Sequence, residues 1–290
     1  MSVASRIAIV GASGQLGTDL VRILGSNAIP LRHQQVELTE ITSLRSVLTD
    51  LHPSAVINAA AYNWVDKAED EPHVAYAVNA LGPRNLALIC KELDIPLLHV
   101  SSDYVFGKDA VTGPNQPAPH TEADVPAPRG AYAVSKLAGE YFVLGTSPKH
   151  VAVRTCGLYG NAESLGKGNF VKTMLRLGKE RGKARVVSDQ HCTPTSTSDL
   201  AAGLVKLLET EQPGLYHLTN NGATTWYEFA REIFRVAGLA VEVEPITTLE
   251  FAAKAPRPAF SVLNCDKAKA LGIEMPEWQA ALETYISHLV

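Results

Sequence analysis

The chain has 290 residues, enough for one large domain or two small ones around a sizeable core. A formal net charge of −4 gives no general basic character and argues against nucleic acid as a partner, and no apolar stretch is long enough to span a membrane. Four cysteines (Cys90, Cys156, Cys192, Cys265) lack C-x-x-C or metal spacing, and no signal peptide precedes the first strand, so buried thiols in a cytoplasmic protein are expected.

Arg6 to Val10 is a short β-rich run that passes at once into Gly11-Ala12-Ser13-Gly14-Gln15-Leu16-Gly17. The apolar positions Leu16, Leu20, Val21, Ile23 and Leu24 then predict a helix. Strand, glycine turn and helix is the setting in which backbone N–H groups and a positive helix end hold a pyrophosphate. Gly11 would make the tight turn, Gly14 would let phosphate approach, and Gly17 would allow close packing. The spacing is G-x-x-G-x-x-G, which plain turns also show. A weak strand, Ala28 to Leu31, ends in Arg32-His33. An acid at this place suits a ribose 2′-hydroxyl, whereas Arg32 suits a 2′-phosphate and favours NADP(H) over NAD(H). Glu37 and Leu38 follow on the loop before a helix of about Ile41 to Leu51.

Ala55 to Ala60 is a third strand with small residues where it ends, so a cofactor could lie against the backbone. The loop from Ala61 to Lys67 leads to a helix opened by Pro72 and running to about Leu93, with Asn79 inside it. A fourth strand, Pro96 to Val100, ends in Ser101-Ser102-Asp103, and a hydroxyl there would share the rim of the glycine turn. A long proline-rich loop through Pro114, Pro117, Pro119, Pro126 and Pro128 precedes the helix of Ala131-Tyr132-Ala133-Val134-Ser135-Lys136. Tyr132 and Lys136 lie about 40° apart around a helix axis. Val134, Leu137, Ala138 and Tyr141 form a stripe expected to pack inward on the other side. An ammonium near a phenol lowers its pKa and fits it for proton transfer, although helix surfaces carry many such pairs.

Val151 to Arg154 is a further strand. Beyond it come a glycine-rich loop (Gly157 to Asn169), a helix at Phe170 to Lys179, and strands at Arg185 to Val187 and Leu215 to Leu218. Helices are expected near Ser198 to Leu208, Trp226 to Ala237 and Trp278 to Leu289. Strand–helix alternation argues an α/β fold, a Rossmann-like doubly wound parallel sheet over residues 1–153. Residues 154–290 read mainly as a smaller C-terminal substrate-binding lobe, with some elements returning to the main sheet.

The glycine turn, Ser102, Tyr132 and Lys136 in this order resemble an extended short-chain dehydrogenase/reductase. Ile57-Asn-Ala-Ala-Ala-Tyr62, Val65-Asp-Lys-Ala-Glu69, Ser101-Ser-Asp-Tyr-Val-Phe-Gly107, Asp189-Gln190, Pro194-Thr195, Gly214-Leu-Tyr-His-Leu218, Trp226-Tyr-Glu-Phe-Ala230 and Arg257-Pro258 narrow the resemblance to the dTDP-4-dehydrorhamnose reductase family. It implies reduction of the C4 ketone of a dTDP-linked 4-keto-6-deoxy sugar by NADPH, with NADH as an alternative. Ser102, Tyr132 and Lys136 would be catalytic. Gly11, Ser13, Gly14, Gln15, Leu16, Arg32, Glu37, Leu38, Ala59, Ala60, Ala61, Tyr62 and Asn79 would meet the cofactor, and Val65, Asp103, Tyr104, Asn169 and Arg257 the substrate. A homodimer is also implied. Some members hold Mg²⁺ with acidic residues at a dimer interface; Asp19 matches one of them, without a full set. Where some members place a Trp near the sugar, Cys156-Gly157 stands here, which predicts a roomier sugar pocket. A sugar-nucleotide dehydratase or epimerase shares the fold, but the Asp-Glu pair of dehydratases is Asp103-Tyr104 here. A non-catalytic NADP-binding regulatory subunit, like the β subunit of methionine adenosyltransferase, is the other alternative.

Overall fold

In a computed structural model, which describes residues 6–107, 118–162 and 168–289, five short apolar runs become β1 (Ile7–Val10), β2 (Ala28–Leu31), β3 (Ala55–Asn58), β4 (Leu97–Val100) and β5 (Val151–Arg154). Pro114 and Pro117 of the expected long loop, and residues 163–167 of the glycine-rich one, lie outside the described residues. With Gly214–His217 the five strands make one parallel sheet in the order Gly214–His217, β5, β4, β3, β1, β2. β1, β3, β4 and β5 are buried at every position, as strands covered on both faces must be. The chain order reverses around β1, which has β2 on one side and β3 on the other. The crevice beyond the carboxyl ends of these strands is where such sheets hold ligands.

On one face of the sheet, Leu16 and Leu20 of α1 (Gln15–Leu24) join Leu200, Leu204 and Leu207 in a common core. Leu44 and Leu48 of α2 (Ile41–Leu51) and Leu86 and Ile89 cover the other face. The single helix expected from Pro72 to Leu93 is instead α3 (Pro72–Tyr76), a π-helical turn (Ala77–Leu81) and α4 (Gly82–Glu92). Pro83 explains the break. It has no N–H for the carbonyl of Asn79, and its ring would clash with that oxygen in a regular helix.

The catalytic-helix candidate is α5 (Gly130–Thr146). Its orientation corrects the sequence reading. Val134 and Tyr141 are 47% and 62% exposed, while Ala133, Ser135, Lys136, Gly139, Glu140 and Val143 face inward. Close approach decides this: a Cβ on Gly139 would stand 2.3 Å from the carbonyl oxygen of Asn79 and 3.3 Å from His99 Nε2. Small and polar side chains are what fit against the π turn, so the larger apolar ones turn outward.

The second lobe has its own core. Val171 and Met174 of α6 (Phe170–Arg181), Phe229 and Ile233, and Trp278, Leu282 and Ile286 pack together. Lys183–Val187 pairs in parallel with Glu242–Ile246, a strand the sequence reading lacked. It is mostly exposed and contains Pro245, so it shows no β alternation and sits at an edge. Two elements after residue 153 return to the main sheet: Gly214–His217 pairs with β5, and α7 (Thr197–Glu209) packs on α1. No helix among the described residues is long and apolar enough to cross a membrane.

Candidate active site

The glycine turn is fixed from two sides. Gly11 and Ala12 both donate their N–H to the carbonyl of Leu31 at the end of β2, at 3.1 and 3.2 Å. Gly11 has φ +83°, and a Cβ there would lie 2.7 Å from the backbone nitrogen of Ala60. A Cβ on Gly17 would lie 2.1 Å from the carbonyl oxygen of Gly11. The turn therefore lies flat against the small residues ending β3, and α1 starts directly on it. Gly14 is the N-cap of α1 with no side-chain cap, so the first-turn N–H groups of Gln15 and Leu16 have no carbonyl one turn back to bond. Ser13 is exposed and the Leu16 side chain is in the core. Arg32 follows Leu31 immediately, exposed, and its guanidinium has no hydrogen-bond or ion-pair partner among the described residues. His33 lies 3.5 Å from Glu37, whose other carboxylate oxygen accepts from Thr39. Leu38 is buried. A turn with no room for side chains, free donors at a helix start and an unpaired guanidinium fit the pyrophosphate and 2′-phosphate of a dinucleotide.

Across the crevice, Ala59, Ala60, Ala61 and Tyr62 leave β3. Asn79, in the π turn, accepts from the Tyr62 N–H (2.8 Å) and donates to the Tyr62 carbonyl (3.0 Å) and to Ser135 Oγ (3.1 Å). This one buried amide thus ties the cofactor-side loop to α5. Glu69 Oε1 accepts from the Ala131 N–H at 2.7 Å and so caps α5, a role the sequence reading missed although the residue stood in a quoted motif.

Ser102 and Tyr132 lie near each other beyond β4, and the Lys136 side chain runs to the last residue of that strand. Ser102 Oγ donates to Asp103 Oδ1 (3.1 Å) and accepts from the Tyr104 N–H (3.2 Å). Tyr132 stands near Ser102, which pulls on its phenol, and its ring is edge-on to Tyr104 with centroids 5.6 Å apart. Burial pushes its phenol up to about 12, against the pull of Ser102. The expected lowering by Lys136 does not arise, because Lys136 is 2% exposed and donates to the carbonyl of Val100 at 2.7 Å. Burial brings that ammonium down to about 8, with Glu140 opposing. Asp103 also accepts from Cys156 Sγ at 3.0 Å, and burial raises its carboxyl.

The proposed substrate residues do not all share one wall. Asp103 and Tyr104 line a narrow cavity with Gln190, Cys192, Trp226 and Pro258. Val65 is half-buried on the loop after β3. Arg257 pairs with Asp66 at 2.8 Å, closing that loop against the segment around Ala255. Asn169 is committed elsewhere. It caps α6 by accepting from the Lys172 N–H, and its amide donates to Gly160 O, Gln15 Oε1 and Tyr285 Oη. Gln15 Oε1 also accepts from the Gly160 N–H at 2.8 Å, so its side chain joins the glycine turn to the second lobe. Gly157 does not leave the room expected of it. With φ +55°, its absent Cβ would meet Pro194 Cα at 3.2 Å and Trp226 Cη2 at 3.3 Å. Trp226 stands against that space; the sequence reading had placed it at a helix start and in a family motif, without a role at the site.

The Mg²⁺ expectation finds no support. Asp19 accepts from Thr197 Oγ1 at 2.6 Å and pairs with Arg22 at 3.2 Å. Among the described residues no cluster of three His, Cys, Asp or Glu could hold a metal.

Residues 5–290 match the family of RmlD substrate-binding domains. The dTDP-4-dehydrorhamnose reductase of Streptomyces griseus is 40% identical over 94% of this chain and 90% of its own. The crystal structure of the Bacillus anthracis dTDP-4-dehydrorhamnose reductase in complex with NADP superposes with TM-score 0.92 at 38% identity, covering 99% of this chain and all of that one. A Thermus thermophilus UDP-glucose 4-epimerase, at 20% identity and TM-score 0.82, shares the fold. The glycine turn, the Ser102, Tyr132 and Lys136 arrangement and these relatives lead to one conclusion: the chain belongs to the dTDP-4-dehydrorhamnose reductase family.

Proposed function

We propose that this chain reduces the C4 ketone of dTDP-4-dehydro-L-rhamnose with NADPH, giving dTDP-L-rhamnose. The observation that carries the reading is the nearness of Ser102 to Tyr132 beyond β4, with Lys136 one helical turn on and the glycine turn on the same rim. NADPH, when bound, supplies the hydride for the carbonyl carbon. The chain's own residues do the rest. Tyr132 stays un-ionised at neutral pH because burial holds it near 12, and only the protonated phenol can give a proton to the growing alkoxide. Ser102 stands beside that hydroxyl, and rotation of its own O–H away from Asp103 would aim a second donor where charge develops. Lys136 would hold the cofactor's ribose, its ammonium kept in place by the Val100 carbonyl. Gly11, Ser13, Gly14, Gln15 and Leu16 would take the pyrophosphate, Arg32 the 2′-phosphate, and Ala59 to Tyr62 the remaining nucleotide surface, with NADH a poorer alternative.

Val65, Asp103, Tyr104 and Arg257 remain the proposed substrate contacts, and Asn169 is proposed instead to fix the second lobe against the glycine turn. A homodimer is proposed on Tyr76, Leu81, Val134 and Tyr141, which neighbouring helices leave exposed; a monomer mass by light scattering would end that reading. The decisive assay incubates the protein with NADPH and dTDP-4-dehydro-L-rhamnose and identifies the product. Oxidation of NADPH with formation of dTDP-L-rhamnose is expected. NADPH binding with no turnover would overturn the proposal and favour a regulatory role.

A further inference from the structure

We infer that Trp226 is the wall against which the 6-deoxy end of the sugar packs, and that it sets which 4-keto sugar the site accepts; this rests on the ketone reduction proposed above. Trp226 begins α8 (Trp226–Val236) and is held from behind by Phe170 and Phe229, with ring centroids 4.8 and 6.2 Å away. Two aromatic neighbours leave the indole few orientations, yet it remains half-buried. Its Cη2 edge covers Gly157 at 3.3 Å from the missing Cβ, so a side chain at that position would press on the ring. The same ring lines the cavity whose other walls include Asp103, Tyr104, Gln190 and Pro258. Asp103 accepts from Ser102 and Tyr104 lies against Tyr132, so this cavity adjoins the groups that handle the ketone oxygen.

The chemistry of the sugar then assigns the wall. On one side of a C4 ketone stands C3 with a hydroxyl; on the other stands C5, which bears the methyl. Asp103 and Gln190 suit the hydroxyl, whereas the indole and Pro258 suit the methyl. A hydroxymethyl group in place of the methyl would press an oxygen against carbon and lose its bonds to water. One small group of this kind is worth about 10–200-fold in a hydrophobic pocket.

The test compares wild type, Trp226→Phe and Trp226→Ala on the dTDP-4-keto-6-deoxy sugar and its 6-hydroxy analogue. Calorimetry with dTDP-L-rhamnose, dTDP alone and NADPH accompanies the kinetics. In Trp226→Ala the ratio of kcat/KM values should fall by about tenfold or more, and dTDP-L-rhamnose should lose its advantage over dTDP, while NADPH affinity is unchanged. Trp226→Phe, which keeps a ring against Phe170 and Phe229, should lie between. An unchanged ratio in both folded variants overturns the inference. If Trp226→Ala does not fold, Trp226→Phe decides alone: a lowered ratio supports the assignment and an unaltered one removes it. If wild type reduces neither sugar, the ketone-reduction reading fails separately. Trp226 is then judged by binding, and equal dTDP-L-rhamnose affinity in wild type and Trp226→Phe overturns it.

Discussion

Tyr132 combines a half-buried ring with Ser102 nearby, which pulls its phenol down against burial. Tyr132→Phe should lower kcat by about 10²–10⁴-fold, the range of a positioned general acid, and leave NADPH affinity near wild type; near-normal turnover would sink the mechanism. Arg32 raises a different question, because it is exposed and its value depends on what it meets. A 2′-phosphate bonded to its guanidinium would gain on the order of 1–3 kcal/mol, the usual worth of a hydrogen bond to a charged group. Arg32→Asp should thus weaken NADPH binding far more than NADH binding, and equal affinity ratios in the two proteins would reduce Arg32 to a surface residue. Both proposals could be made from the sequence, because the chemistry of these residues lies in their type and place. The role inferred for Trp226 could not be read there, because it depends on a space beside Gly157 that only the fold creates. The pKa logic was legible only in part: spacing puts Lys136 one turn from Tyr132, but the carbonyl of Val100 draws the ammonium into the protein.

The parallel strands and α1 could be read directly, since a buried strand is a continuous apolar run and a glycine turn marks the start of its helix. α5 could be placed but not turned. Its apolar stripe suggested one face, whereas the close approach to the π turn selected the face of Gly139 and Ala133. The π turn itself was hidden because Pro83 looked like an ordinary residue of a long helix. These elements make one testable contact. Gly139→Ala should favour a free helix by about 1 kcal/mol. In this protein the added Cβ would stand 2.3 Å from Asn79 O, a backbone atom that cannot swing aside. Overpacking of this sort costs about 1–3 kcal/mol, so the net effect should be destabilising. A urea midpoint below wild type, with reduced kcat as α5 shifts, is the expected result. A midpoint above wild type would show that the two helices part without loss.

The centre of the whole molecule holds a chain of charges on which both halves of the sequence close. Arg154, 2% exposed at the end of β5, forks onto Glu140 of α5 with Nε–Oε1 at 3.0 Å and Nη2–Oε2 at 2.8 Å. Ser101 donates to Glu140 Oε1 at 2.5 Å, and Arg154 Nη1 lies 3.4 Å from His217 Nε2 on the strand that returns from the second lobe. Breaking such a buried pair from one side typically costs about 3–5 kcal/mol, while replacing both partners by apolar groups is often neutral. Glu140 has a second duty, for it is the group that opposes the fall of Lys136 to about 8. Above that pH Lys136 loses its charge, so kcat/KM for NADPH, which reports the free enzyme, should decline on the alkaline side from about pH 8. The stability effect of the same group has the opposite sign. Its folded value lies below the ordinary 10.5, so the penalty of burying the ammonium is full below about 8 and fades as pH rises toward 10.5. Glu140→Gln should therefore destabilise the fold and move the alkaline decline to lower pH. Adding Arg154→Met should recover much of the stability by removing the stranded guanidinium, but it should leave the decline displaced, since Lys136 still lacks its anion. Denaturant midpoints and pH profiles of the single and double variants separate these effects. An unmoved alkaline limb in both variants would show that the limb belongs to a group other than Lys136.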